Sequence, residues 1–272
     1  NMGLPLPPKP KGLRTVVLLY DLFQITLNNY HANRLKALIY KTSDRLSIAY
    51  AVHSADRVWT PSQYSADETA RLFPKAAGKI RVLPNQVDGF TDLAADLSAR
   101  QLPERFGLLV GTRELRKNVP FLVDAWQRAR QQSPAVPELV LVGSLEHLPG
   151  AQRTLPGIRA LSGVSDAELH ALYRHASRLW QPSYAEGFGL PVIEALSVGT
   201  PVAVASGTSL DEITPPSAPR FSPTDGPALT QLMLSLGERT EEASPEQHRQ
   251  WAQRFNHHAY RRRLAELIEE LK

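Results

Sequence analysis

The sequence has no cysteine and only two methionines. A disulfide framework, a thiolate zinc site and a thiol nucleophile are therefore ruled out, and the chain fits a reducing, cytoplasmic setting. It also lacks long apolar runs. The longest, such as "TVVLLY" and "ELVLVG", fall far short of the roughly 20 residues a membrane-crossing helix needs, and no apolar leader opens the chain. Neither a His-Glu-x-x-His pair, a Gly-x-Ser-x-Gly elbow nor a phosphate loop is present. Nor is there an Asp-x-Asp pair of the kind that holds a divalent ion against phosphates, so no metal cofactor is expected. His257 and His258 sit in a polar stretch and read as solvent-facing. The four tryptophans are scattered, which argues against an aromatic and basic platform for nucleic acid.

What remains is ordinary in proportion: 42% hydrophobic and 21% charged residues, enough for one or two soluble cores. The net charge of +4 gives a mild preference for anionic partners, among them phosphorylated small molecules and acidic lipid surfaces. The Arg261–Arg263 run reads first as a solvated helix face and second as a peripheral contact with an acidic membrane at its inner face.

Patterning places elements. Residues 1–12 are rich in proline and lysine and are assigned no fold. From Thr15, "TVVLLY" reads as a buried strand, "HANRLKALIYKTSDRLSIAYAVHSA" as a helix, "RVWTPS" as a strand, "SQYSADETARLF" as a helix capped by Ser62, and "KIRVLP" as a strand. A looser stretch follows, and then a second series: strands "FGLLVG", "ELVLVG", "RLWQPS" and "PVAVAS" separated by helical segments. Such alternation predicts an α/β protein with mostly parallel sheets covered by helices on both faces. The expected division is a partial N-terminal Rossmann-like domain over 1–95, a second Rossmann-like domain over 96–245, and a C-terminal helical segment over 246–272 that packs back toward the first.

Two loops carry the chemistry. "TRELRKN" puts Arg113, Arg116 and Lys117 just ahead of a helix, with Asn118 as its cap and Pro120 in its first turn. Cations are unfavourable at a helix N-terminus unless an anion joins them, so a phosphate grip and side chains extended into water both remain open. The second loop, "YAEGFGLPVIE", leads from a strand through Gly187 and Gly189 to Pro191 at the start of another helix. Two helix starts with two or three cations suffice to hold a diphosphate, and Glu186 and Glu194 suit the hydroxyl pairs of two sugar rings.

The stretch "EGFGLPVIE", read as Glu-x7-Glu with "PS" before it and "EALSVGTPVAVA" after it, resembles the signature of the retaining GT-B glycosyltransferases of family 4 (glycosyl transferases group 1). "RVWTPSQYSADETARLF", "KIRVLPNQVD", "GTRELRKNVPFLVDAW", "LSGVSDAELHALYRHAS" and "FSPTDGPAL" are similar to that family's pattern in the same order. The resemblance implies that Arg116 and Lys117 bind the diphosphate of a nucleotide sugar, aided by backbone N–H groups around Gly187, Phe188, Gly189 and Leu190. It further implies that Glu194 takes the ribose hydroxyls, that Glu186 contacts the transferred sugar, and that Val164 lies against the base. Two departures stand out. Where the family often has His-Asp, this chain has Tyr20 before Asp21, which leaves only Asp21 as a donor-side contact there. The first domain is also shorter than a full acceptor domain and is expected to be incomplete.

The implied function is a metal-independent, retaining transfer of a sugar from a nucleoside diphosphate donor to a glycan or lipid-linked acceptor in cell-surface polysaccharide synthesis. Mannose from GDP-mannose is the favoured donor. The competing readings are another GT-B enzyme, such as an epimerase or phosphorylase, and a non-catalytic module that binds nucleotide sugar or a partner.

Overall fold

The structure is a computed structural model describing residues 12–27, 34–87, 95–146, 148–238 and 244–272, with only the backbone described for 34–40. Part of the expected inter-domain stretch, and nearly all of the proline-rich start, lies outside these residues. The chain divides into two compact units, Asn1–Gln86 with His257–Lys272, and Val87–Asn256.

The first unit holds a parallel three-stranded sheet, β1 (Val16–Leu18), β2 (Arg57–Thr60) and β3 (Ile80–Val82), ordered β1-β2-β3. Between β1 and β2 run α1 (Phe23–Thr26) and α2 (Arg34–Ser54), and α3 (Gln63–Leu72) precedes β3. Ser62 caps α3 as expected, its hydroxyl accepting from the Ser65 N–H at 3.1 Å. Successive strand residues face opposite ways. Val58 joins Leu19, Ile48, Val52 and Phe73 on one side of β2, while Trp59 packs with Leu83 and Leu267 on the other. One expectation needs correcting: β1 is not a buried strand, since Val16 and Val17 are only half-buried and Leu18 is half exposed. Among the described residues it is an edge strand of three residues, with a neighbour on one side only.

The second unit is built on a six-stranded, wholly parallel sheet. Its strands are β4 (Phe106–Val110), β5 (Glu138–Val142), β6 (Ile158–Leu161), β7 (Arg178–Gln181), β8 (Val202–Ala205) and β9 (Arg220–Phe221). The connecting helices are α4 (Val119–Gln132), α5 (Gly150–Arg153), α6 (Asp166–His175), α7 (Leu190–Ser197) and α8 (Leu210–Ile213), with α9 (Gly226–Glu238) after the last strand. Strands β4, β8 and, after Glu138, β5 read as unbroken apolar runs because both faces are covered. Leu108, Val140, Leu179 and Val204 pack beneath α6 and α7; Leu109, Leu141, Trp180 and Ala203 pack beneath α4 and α9. The strand order is β6-β5-β4-β7-β8-β9, so the connections run one way from β4 and the other way from β7. Crevices at such a reversal, beyond the carboxyl ends of the strands, are where ligands bind in open α/β sheets.

Helix starts match local chemistry. In α6 the Ser165 hydroxyl accepts from the Glu168 N–H at 3.3 Å while the Glu168 carboxylate accepts from the Ser165 N–H at 2.8 Å, a complete capping box. Ser165→Ala is expected to cost about 1 kcal/mol; urea unfolding measures it, and an unchanged midpoint would show the box to be dispensable.

The unit boundaries differ from those expected over 1–95, 96–245 and 246–272. The C-terminal segment splits: α10 (Pro245–Ala252) packs on α7 within the second unit, and only α11 (His257–Glu269) joins the first. The physical reason is specific. His248 Nδ1 meets the Gly199 carbonyl at 3.1 Å, the Trp251 indole N–H donates to Ile213 O at 2.7 Å, and Phe255 stands edge-on to Phe188. No helix among the described residues is long and apolar enough to cross a membrane.

Candidate active site

The two loops singled out in the sequence leave adjacent strands at the reversal point, one after β4 and one after β7. After β4, Gly111 takes a positive φ of 88° and Thr112 anchors the loop by donating to Ser144 O at 2.6 Å. A short 3-10 turn, Leu115–Lys117, then delivers both cations. Asn118 follows in the left-handed region at φ 55°, a conformation asparagine tolerates better than most residues. It occupies the capping position of α4, but its side chain does not cap the helix: the amide donates instead to Pro223 O at 2.9 Å.

The loop after β7 is tied to the first by the Tyr184 N–H, which donates to Arg116 O at 3.1 Å. Its shape is held from beneath by Ser209, whose hydroxyl lies 2.8 Å from Glu186 O and 3.1 Å from Phe188 O. Gly189, at φ 106°, precedes α7, and Pro191 takes the helix's second position, where no N–H is required. The backbone N–H groups of Phe188, Gly189 and Leu190 have no acceptor among the described residues. These donors and the positive end of α7 form an anion-attracting edge.

Between the loops lies a buried ion cluster. Lys117 Nζ is 3.0 Å from Glu186 Oε1, and the Arg116 guanidinium binds the other carboxylate oxygen. Both Lys117 and Glu186 are 5% exposed. Arg116 is braced from the far side by Glu114, at 2.7 and 3.1 Å, and donates to Ala185 O at 3.1 Å. Such a cluster is costly to desolvate and is fixed chiefly by its mutual pairing. Glu186 therefore faces the two cations expected to hold a diphosphate.

Glu194, one turn into α7, accepts a hydrogen bond from the phenol of Tyr173 at 2.7 Å. Burial raises the Glu194 carboxyl above its ordinary range, opposed by the Tyr173 bond and the charge of Lys117 and reinforced by the nearby Asp166. The Tyr173 phenol is pushed well above its usual value, first by burial and then by the Glu194 carboxylate.

The remaining expected residues are less closely joined. Phe188 is buried against Phe255, Leu190 is exposed at the start of α7, and Gly187 lies within the same loop. Val164 is half-buried on the edge of the core beneath α6. Arg113 is exposed, and among the described residues it makes no hydrogen bond or ion pair. Asp21 belongs to the first unit, where it accepts from the Phe23 N–H at 3.3 Å beside an exposed Tyr20. No group of three or more His, Cys, Asp or Glu side chains among the described residues is arranged to hold a metal ion.

Sequence reasoning missed Tyr173, Ser209 and Glu114. Glu114 had a local signal, an acidic residue two positions before Arg116. Tyr173 and Ser209 had none, because they reach the site only through the fold.

Comparison with known proteins agrees with the geometry. Residues 94–217, a little under half the chain, match the family model of glycosyl transferases group 1. Over 81% of the chain there is 29% identity to the O-antigen chain mannosyltransferase B of Escherichia coli, covering 60% of that protein. The MMP alpha-(1->4)-mannosyltransferase of Mycolicibacterium hassiacum is 30% identical over 65% of the chain and 44% of its own length. The chain thus spans three fifths or less of these curated relatives. Among solved structures, HepE of Anabaena in complex with UDP-glucose superposes with a TM-score of 0.72 at 20% identity, covering 94% of this chain and 72% of that one. Sucrose-phosphate synthase of Thermosynechococcus elongatus gives 0.68 at 22% identity, covering 94% and 67%. The resemblance to group 1 glycosyl transferases is real, and the fold is GT-B.

Proposed function

We propose that this chain, whose residues 94–217 match the glycosyl transferases of group 1, works as a retaining, metal-independent sugar transferase of family 4 that uses a nucleoside diphosphate donor. The observation that carries this reading is the meeting of Arg116, Lys117 and the start of α7 at the reversal point between β4 and β7. A departing nucleoside diphosphate accumulates negative charge on its oxygens. Preorganised cations and N–H groups at that position stabilise the transition state more than the ground state. A diphosphate that displaces Glu186 meets the two cations in place of a divalent ion, which supports metal independence.

Glu194 is then the acceptor for ribose hydroxyls, Glu186 the contact to the transferred sugar, and Val164 the neighbour of the base. The acceptor hydroxyl attacks from the leaving-group face, so the anomeric configuration is kept and Glu186 orients rather than bonds. Mannose from GDP-mannose is the preferred donor, supported by the mannosyltransferase relatives. A glycan or lipid-linked acceptor, used on the cytoplasmic side of a membrane in polysaccharide assembly, completes the reading.

Calorimetric titration in EDTA with GDP-mannose, UDP-glucose, UDP-N-acetylglucosamine and ADP-glucose tests it. Binding of GDP-mannose alone is the expected result. Preference for another donor would replace mannose within the same class, binding only after a divalent ion is added would overturn metal independence, and binding of none would overturn the reading.

A further inference from the structure

We infer that Tyr173 is a positioning residue for the donor, aiming the Glu194 carboxylate at the hydroxyl pair of the nucleotide's ribose. The inference rests on the transferase reading above and adds a residue that no motif in the sequence indicates.

Tyr173 is fully buried beneath α7, and its ring forms part of the core shared by α6, α7 and the sheet. A phenol in such a place needs a partner, since an unpaired hydroxyl in an apolar interior carries a large desolvation cost. Its partner is one oxygen of Glu194, at 2.7 Å. The backbone around it is fixed as well: the Thr200 hydroxyl donates to Tyr173 O at 2.6 Å. One carboxylate oxygen is thereby held by a rigid ring, which restricts the rotation of the whole group. A carboxylate restricted in this way loses less rotational freedom when it accepts from a vicinal diol, and binding gains from that preorganisation.

Phenylalanine tests the idea because it keeps the ring and removes only the hydroxyl. Tyr173→Phe and the unaltered chain are titrated with GDP and with 2′,3′-dideoxy-GDP, and with the UDP pair if UDP binds more tightly. The expected result is about a tenfold loss of affinity for the ribonucleotide in the variant, with the dideoxynucleotide unaffected. A purely structural role would weaken both nucleotides alike, and that outcome overturns the inference while leaving the transferase reading intact. If the unaltered chain fails to distinguish ribose from dideoxyribose, Glu194 does not hold the hydroxyls and the inference falls with that assignment. If neither nucleotide binds, the transferase reading falls first and takes the inference with it.

The pH profile supplies a second readout. The groups facing Glu194 are Tyr173, Lys117 and Asp166; the Tyr173 bond and the Lys117 charge favour the carboxylate, while burial and Asp166 oppose it. Without the phenol the carboxyl protonates at a higher pH, so the acid limb of ribonucleotide binding should move upward in Tyr173→Phe. An unmoved limb would show that the bond does not act on Glu194.

Discussion

Glu186→Gln is expected to slow the release of nucleoside diphosphate from a bound sugar nucleotide by about two to three orders of magnitude, and at the same time to tighten the binding of inorganic pyrophosphate. The two effects have one origin. The Glu186 carboxylate sits on Lys117 and Arg116, where the phosphates of a donor are expected to lie. An anionic ligand must therefore share those cations with Glu186 or displace it. Glutamine has the same shape but no charge, so it competes less, and the buried cations are left with a deficit of negative charge that a phosphate can supply. Removing a charged partner from a buried pair typically costs about 3–5 kcal/mol. Here the cost should be smaller, because Glu114 still braces Arg116 and the glutamine oxygen can still accept a hydrogen bond. The variant should thus melt lower than the parent and be restored by pyrophosphate more strongly than the parent is, as mass action requires of a ligand that binds only the folded state. Transfer falls because an amide contacts the sugar hydroxyls, and the positive charge that develops at the anomeric carbon as the diphosphate departs, less well than a carboxylate. Calorimetry on both proteins decides the matter. Equal pyrophosphate affinities would show that Glu186 does not compete for the anion site, and undiminished turnover would remove it from the chemistry.

The sequence was most informative where one residue type served one purpose. "FGLLVG", "ELVLVG" and "PVAVAS" are strands covered on both faces, so apart from Glu138 at the start of the second they are apolar, and each run ends in Gly or Ser. The strand β6 escaped notice because "IRAL" breaks that pattern, lying at the sheet edge with Arg159 half exposed, and β9 has only two residues. The cations of "TRELRKN" and the glutamates of "EGFGLPVIE" were visible as separate local clusters. Their pairing was not, since about 70 positions separate Lys117 from Glu186 and only the strand order brings them together. The helix α10 shows the same limit: its capping box, Ser244 with Gln247, is written locally, but the unit it joins depends on His248 and Trp251 finding Gly199 and Ile213.

Gly189→Ala should be among the most destabilising single-methyl changes in the second unit, at about 2–5 kcal/mol when backbone strain and over-packing are combined. The backbone there has φ 106° and ψ 51°, a conformation that L side chains rarely adopt. An added Cβ would also stand 2.7 Å from Leu210 Cδ2 and 2.9 Å from Ile213 Cδ1. Those atoms end flexible side chains, yet Leu210 is fully buried and Ile213 is 2% exposed, so neither has open space to retreat into. Any relief must come from moving the loop, and the loop carries the N–H groups of Phe188, Gly189 and Leu190. Nucleotide binding should consequently weaken along with stability. Gly207→Ala is the matched control, because Gly207 also has a positive φ, of 89°, but an added Cβ would meet no atom within 4 Å. It should show the conformational cost alone, about 1–2 kcal/mol. Urea unfolding of both variants separates strain from collision. A Gly189→Ala cost no greater than that of Gly207→Ala would mean that the core beneath the loop yields, and that the tight approach of α8 does not set the geometry of the anion site.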